Sequence, residues 1–306
     1  MVGTRPEAIK MCPLYIELKK SDSFETFLVA TGQHESMLQQ VLDVFGVKAD
    51  YNLKIMKKGQ TLFDINRAVL EKLPPLLEEI KPDVVLVHGD TSTAFASALA
   101  AFYLQIPVGH VEAGLRTGDI YQPFPEEFNR EAISLVSRFN FCPTPLSMEN
   151  LVREGKNPET MIVTGNTGID SLRYTVKEDY QSNVLDWLGD SQMILMTAHR
   201  RENYEAFPDM FDGILKALNE HPNCKLVYPA HPSPVVQKAA HDAFDGHPNV
   251  LIIEPLDVFD FHNLIARSHL ILTDSVVIQE EAPYFGIPFL VMRNVTERPE
   301  GVEAGT

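Results

Sequence analysis

The chain has 306 residues, 44% hydrophobic and 22% charged, with a formal net charge of −16, which is room for two domains with full cores and the composition of an ordinary globular enzyme. The acidic balance excludes nucleic acid, whose phosphates are bound by Lys and Arg, and no apolar run is long enough to span a membrane. Cys12, Cys142 and Cys224 are scattered without metal-ligand spacing or disulfide arithmetic and fit a reduced, cytoplasmic setting.

The N-terminus meets Arg5, Glu7 and Lys10 before any signal-like core can form. Gly3-Thr4-Arg5-Pro6 then reads as a turn with a proline at a helix start. Apolar runs of strand length follow at 27–30, 84–87, 108–111, 139–142 and 162–164, and in the second half at 193–197, 225–228, 250–253, 270–273 and 289–292. Helix-length periodic segments separate them, including an Ala-rich one at 91–104 and another at 208–218. Such alternation predicts parallel sheets built from βαβ units. Residues 165–168 punctuate the middle, and a polar helix-like segment to 191 reads as the bridge. The expected fold is α/β, with two Rossmann-like domains, 1–167 and 168–306, whose parallel sheets face across a cleft.

The stretch from 84 to 130 carries the most chemistry. Two predicted strands end in His88-Gly89-Asp90-Thr91 and in Glu112-Ala113-Gly114-Leu115-Arg116, and Pro125-Glu126-Glu127 opens a helix. Ligands of open α/β sheets sit at the carboxyl ends of strands, so three carboxylates gathered there point to acid–base work. Each has a plain structural explanation beside it. Asp90 precedes a helix and is equally readable as its N-cap; one of Glu126 and Glu127 is explained by the helix dipole; Glu112, in a turn, is explained least. The turn 3–10 can bind an anion at its helix start, with Arg5 and Lys10 adding charge, or can be a capped surface helix. It lacks the G-x-G-x-x-G pattern, so a nicotinamide cofactor is unsupported.

In the second half, His199-Arg200-Arg201 follows a strand, an environment poorly suited to a core histidine. His231 repeats the arrangement more weakly. These histidines and acids have no metal-ligand spacing, so no metal is expected. Thr273-Asp274-Ser275-Val276-Val277 is a strand, a polar turn and a helix start. Ser275 and the following amides can cradle a diphosphate, or Ser275 can form a capping box with a nearby Gln or Glu. Glu281 lies further in, and Arg298 supplies a cation after the next strand.

Together the blocks GTRPEAIK (3–10), VHGDT (87–91), HVEAGLRT (110–117), PFPEEFNR (123–130), TGNTGID (164–170), TAHRREN (197–203), IQEEAP (278–283) and TERPEG (296–301) resemble the non-hydrolysing UDP-N-acetylglucosamine 2-epimerases. They run in order along nearly the whole chain. The resemblance implies the GT-B fold, interconversion of UDP-GlcNAc and UDP-ManNAc in the cytoplasm without NAD or metal, a homodimer, and a supply of sugar for polysaccharide synthesis. It makes Asp90, Glu112 and Glu126 acid–base candidates and puts His199 at the phosphates or the leaving group. By the same resemblance, Arg5 and Lys10 would lie near the diphosphate and sugar, Leu256 and Phe261 would line a uracil pocket, Ser275 would bind phosphate, Glu281 would hold the ribose and Arg298 would add charge. A second, activating UDP-GlcNAc site is matched in part by Gln33, Gln60, Glu126, Arg200 and His231, whereas Ser36 and Gly59 depart from it. Val276-Val277 replaces the family's Gly-Gly, and the chain reads as clipped at both ends. The alternatives are a GT-B glycosyltransferase, a hydrolysing epimerase, or a UDP-sugar-binding remnant.

Overall fold

The computed structural model describes residues 1–32, 35–57 and 59–292; Gln33 and Arg298 therefore lie outside the described residues. The chain divides into two compact units, Met1–Tyr174 and Thr175–Thr306.

The first unit contains strands β1 (Val29–Ala30), β2 (Tyr51–Asn52), β3 (Val85–His88), β4 (Val108–Val111), β5 (Ser137–Cys142) and β6 (Met161–Val163). Strands β3 to β6 form a parallel sheet in sequence order, and β1 pairs with β2, also in parallel. Val2 pairs in parallel with Ala30, and the Met1 amino group donates to the Leu86 carbonyl at 2.9 Å. Strand β4 is buried at every position, as expected for a strand covered on both faces.

The helix Ser92–Tyr103 buries Ala94, Ala96, Ala98, Ala100 and Ala101. These small side chains let it pack closely beside the helix Leu62–Ile80, which buries Ile65, Val69, Leu73 and Leu77 at four-residue spacing. Pro74 and Pro75 lie inside that second helix. Each removes a backbone donor, and the buried stripe with the Thr61–Asp64 capping box offsets the loss.

The second unit holds β7 (Gln192–Thr197), β8 (Cys224–Pro229), β9 (Val250–Ile253), β10 (Leu270–Thr273) and β11 (Phe289–Val291). Their order, β11-β10-β7-β8-β9, is wholly parallel. With the first strand central and later strands added on either side, this is a doubly wound arrangement. Buried Met193, Leu195 and Val227 pack with Ile271 and Ile278 on one face. Met196, Tyr228 and Phe211 lie in a separate cluster.

The parallel α/β class read from the sequence is the observed one, and β4, β9 and β10 have the expected bounds. The bridge differs. Instead of one polar helical segment running to 191, the chain forms helices Thr167–Thr175 and Asn183–Leu188. The two compact units divide between Tyr174 and Thr175, the last residues of the first of these helices. Leu172 is buried, while Tyr174 packs its ring against Phe45 at 5.9 Å and donates to Glu17 at 2.7 Å. Those contacts hold the helix to the first unit. No described helix is long and apolar enough to cross a membrane.

Candidate active site

In the first unit the candidate residues collect at the carboxyl edge of the β3–β6 sheet. Asp90 lies two residues beyond β3, Glu112 directly follows β4, and Glu126 opens the helix Glu126–Val136. The capping explanation for Asp90 does not hold. The N-cap of the helix Ser92–Tyr103 is Thr91, whose hydroxyl accepts from the Ala94 N–H at 3.0 Å. Asp90 instead meets Arg130 Nη2 at 2.8 Å, while its own carbonyl accepts from the Asn129 side chain at 2.8 Å. Burial raises the Asp90 carboxyl to about 6; Arg130 opposes that rise, and the charges of Glu112 and Glu126 add to it. The electrostatic influence of both acids on Asp90 places the three carboxylates in one neighbourhood.

Glu112 has a left-handed backbone, φ 66°, an uncommon conformation for a residue with a side chain and one that collects at functional sites. Its carboxylate pairs with Lys10. His88 Nε2 lies 3.8 Å away, but burial pushes His88 down to about 3. That imidazole is therefore neutral near pH 7, and Lys10 is the cation that balances Glu112. Behind it, His110 Nε2 donates to the Gly89 carbonyl at 2.7 Å, tying the ends of β3 and β4 together.

The two acids at 126 and 127 have separate surroundings. Glu127 is fully buried; it accepts from the Thr117 and Gly118 amides at 2.7 and 3.1 Å and faces Arg130 Nε at 3.2 Å. That is a scaffold for the 112–118 loop. Glu126 is half-buried and stays with the Asp90 cluster. Arg130 joins Asp90 to Glu127, and its spacing of three from Glu127 on a helix is the sequence signal for that second pairing.

The turn at 3–10 is built around Glu7, another buried acid that the sequence reading did not single out. Its carboxylate accepts from the Gly3 N–H at 3.1 Å, from the Thr4 N–H and hydroxyl at 2.7 Å each, and from the Thr91 hydroxyl at 2.8 Å. Thr4 is the N-cap of the helix Arg5–Lys20, in a capping box with Glu7. A Cβ on Gly3 would stand 2.4 Å from Thr93 Oγ1, so only glycine lets this turn lie against the start of the Ala-rich helix. Arg5 is half-buried in the first turn, and Lys10 comes a turn later on the face that meets Glu112.

In the second unit, His199 follows β7 by two residues. Its ring stacks on His231 with centroids 5.6 Å apart, and burial lowers its pKa below the usual histidine value while Asp274 opposes that shift. Arg200 is half-buried beside it, and His231 is exposed. Ser275 caps the helix Val276–Glu281 by position but makes no side-chain capping bond, so the capping-box explanation is not the one observed. Val276 and Val277 have helical backbone. Glu281 is buried, with His262 Nε2 at 3.4 Å. Leu256 and Phe261 are half-buried against the β7–β10 core. Gln60 lies in the first unit, where its side chain accepts from the Lys57 amide at 3.2 Å. Asp274, missed in the sequence, is fully buried beneath the His199 loop. Among the described residues, no group of three or more His, Cys, Asp or Glu is arranged to hold a metal ion.

The sequence profile of the UDP-N-acetylglucosamine 2-epimerase family matches residues 16–306. The chain is 54% identical over 305 residues to a UDP-N-acetylglucosamine 2-epimerase of Bacillus subtilis, covering 99% of this chain and 80% of that protein. A crystal structure from Listeria monocytogenes, 49% identical, superposes with a TM-score of 0.95 over 99% of this chain and 81% of the other. A structure of the UDP-GlcNAc 2-epimerase of Neisseria meningitidis bound to UDP-GlcNAc gives a TM-score of 0.86 at 46% identity, covering 99% of this chain and 84% of its own.

Proposed function

The chain belongs to the UDP-N-acetylglucosamine 2-epimerase family, and on that premise we propose that it interconverts UDP-GlcNAc and UDP-ManNAc without net hydrolysis. A carboxylate removes the C2 proton as the C1–O bond to the diphosphate breaks, giving UDP and 2-acetamidoglucal. UDP then adds back at C1 while C2 receives a proton on the opposite face. Proton traffic on two faces needs more than one positioned acid–base group, and the cluster of Asp90, Glu112 and Glu126 supplies three. The observation that carries the reading is Asp90 itself. It is buried beside Arg130, raised to about 6, released from capping, and set among two further acids. A carboxyl with a pKa near the working pH exchanges protons in both directions most readily.

Departure of a nucleoside diphosphate needs fixed cations and dipoles. Arg5 and Lys10 in the first unit fit that need, as do His199 and Ser275 in the second, with Arg298 as a further candidate. Glu281 fits a ribose hydroxyl pair, and Leu256 with Phe261 offers apolar surface to a base. A second molecule of UDP-GlcNAc as activator, held in part by Gln33, Gln60, Arg200 and His231, and a homodimeric state belong to the same proposal. So does action in the cytoplasm without metal or cofactor.

The test is proton NMR of UDP-GlcNAc incubated with the protein in D₂O. Deuterium at C2 together with UDP-ManNAc is the expected result. Free ManNAc with UDP would make the protein a hydrolysing enzyme. Binding without exchange would leave only a UDP-sugar-binding protein.

A further inference from the structure

The His199 loop rests on one buried carboxylate. Asp274 follows β10 and is fully buried. Its Oδ2 accepts from the His199 and Arg200 amides, both at 2.8 Å, and from the Asn203 side chain at 3.2 Å. The strand ends beneath are locked as well. The Asp274 N–H donates to the Thr197 carbonyl at 3.1 Å, the Thr197 and Thr273 hydroxyls meet at 2.8 Å, and the Tyr228 hydroxyl donates to the Ala198 carbonyl at 2.7 Å. Three bonds to Oδ2 already anchor the loop. Oδ1 is different: buried, with no hydrogen-bond partner among the described residues, it lies 3.4 Å from His199 Nδ1. A buried carboxylate oxygen without a donor is costly, and the His199 ring nitrogen is the donor in position to relieve that cost.

We propose that Asp274 is the positioning residue of His199: Oδ1 holds the imidazole as the Nδ1–H tautomer and steadies it when protonated, leaving Nε2, on the far side of the ring, to meet the ligand. The assignment rests on the reading of His199 as the contact to the departing diphosphate. The other groups facing the ring are the stacked His231 and the neighbouring Arg200, both of which disfavour its charge. Among the described residues, the Asp274 carboxylate is the neighbour that favours it. A carboxylate on one ring nitrogen fixes which of the two carries the proton, and for a catalytic histidine the wrong tautomer is inactive even when the geometry is preserved.

The discriminating variant is Asp274→Asn. Its amide oxygen keeps the three donors at Oδ2, so the loop retains its anchor. Its NH₂ group replaces Oδ1 and donates to Nδ1, which forces the proton to Nε2. Ring ¹⁵N NMR of the unliganded protein, with His199→Gln identifying the signals, is the primary measurement. The wild type is expected to show Nδ1–H with a bare Nε2, and the variant the reverse, with the His199 titration at least one unit lower. In the turnover assay kcat is expected to fall roughly a hundredfold or more while KM changes little, with the histidine limb of the pH profile moved to lower pH.

A wild-type ring carrying its proton on Nε2 overturns the proposal, even if the variant does not fold. So does a variant whose tautomer and titration match the wild type, because Asp274 would then be a loop anchor only. Since the NMR readout uses no substrate, a protein that fails to epimerise would sink the proposed function and leave this inference to be decided separately.

Discussion

Asp90 carries a cost in stability that its proposed acid–base role would explain. Its ionisation is easier in the unfolded chain, near an ordinary aspartate pKa of about 3.9, than in the fold, where burial raises it to about 6. The native state therefore binds more protons between these values, and the ionised group lowers stability as pH rises through that window. Asp90→Asn should then melt higher than the wild type at pH 8, by an amount equivalent to about 1–3 kcal/mol, and the gain should vanish near pH 4. The same variant should lose a hundredfold or more in turnover while binding UDP almost unchanged, since it removes proton transfer and no phosphate contact. Calorimetric melting at the two pH values and a UDP titration check both parts. A wild type that melts higher at pH 8, or a variant that no longer binds UDP, would contradict the assignment. For the active enzyme, kcat/KM should fall as pH drops through about 6, because the Asp90 base form is then lost.

Among the elements, two loops make opposite demands on backbone freedom. Gly114, two residues beyond Glu112, has φ +87°, and a Cβ there would stand 2.1 Å from the Ser147 carbonyl oxygen. Left-handed strain and a backbone collision combine, so Gly114→Ala should lower stability by roughly 2–5 kcal/mol, read as a drop in the urea midpoint. A loss under 0.5 kcal/mol would mean that the loop relaxes freely. At the start of the helix Val276–Glu281 the reverse holds. Val276 and Val277 stand where the resembling family has Gly-Gly, and both have helical backbone. The amides are then placed as glycines would place them. Val276→Gly/Val277→Gly should change UDP affinity by less than about tenfold while lowering the melting temperature, since glycine costs about 0.5–1 kcal/mol per helical position. Calorimetric titration beside a thermal melt separates the two effects, and a hundredfold gain in affinity would show that the loop does need glycine.

At the scale of the whole molecule, each compact unit has its own parallel sheet and core, so ligand binding can be followed unit by unit. Trp187, the single tryptophan, packs in the second unit with the Lys225 ammonium 4.7 Å above its ring. If the second unit holds UDP, nucleotide at a hundred times its Kd should stabilise the Trp187 transition by about 2.7 kcal/mol. Denaturant unfolding followed by tryptophan fluorescence, with and without UDP, measures this. A Trp187 midpoint that ignores saturating UDP would move the nucleotide site away from this unit. The net charge of −16 works against any anionic ligand at long range, which is why local cations such as Arg5 and Lys10 matter more than their number suggests.

The sequence by itself determined the alternation of strands and helices, the parallel class and the position of Asp90, Glu112 and His199 at strand ends, because apolar runs of strand length and their polar exits are local patterns. The bounds of β4, β9 and β10 follow from the same pattern. It was weaker where local signals mislead. Pro74-Pro75 lies inside the helix Leu62–Ile80, which continues through it because its buried stripe offsets the lost bonds. The polar stretch after 168 reads as one bridge, yet Tyr174 and Leu172 tie its first helix to the first unit. What the tertiary structure alone decided is which partners each acid has. Thr91 takes the cap and releases Asp90, Glu127 is consumed by backbone amides, Glu7 is locked in a turn, and Asp274 is buried under His199. Each of those carboxylates looks alike in sequence. Their differences come from burial and from partners brought together by the sheet, many of them dozens of residues away in the chain, and no local pattern carries that information.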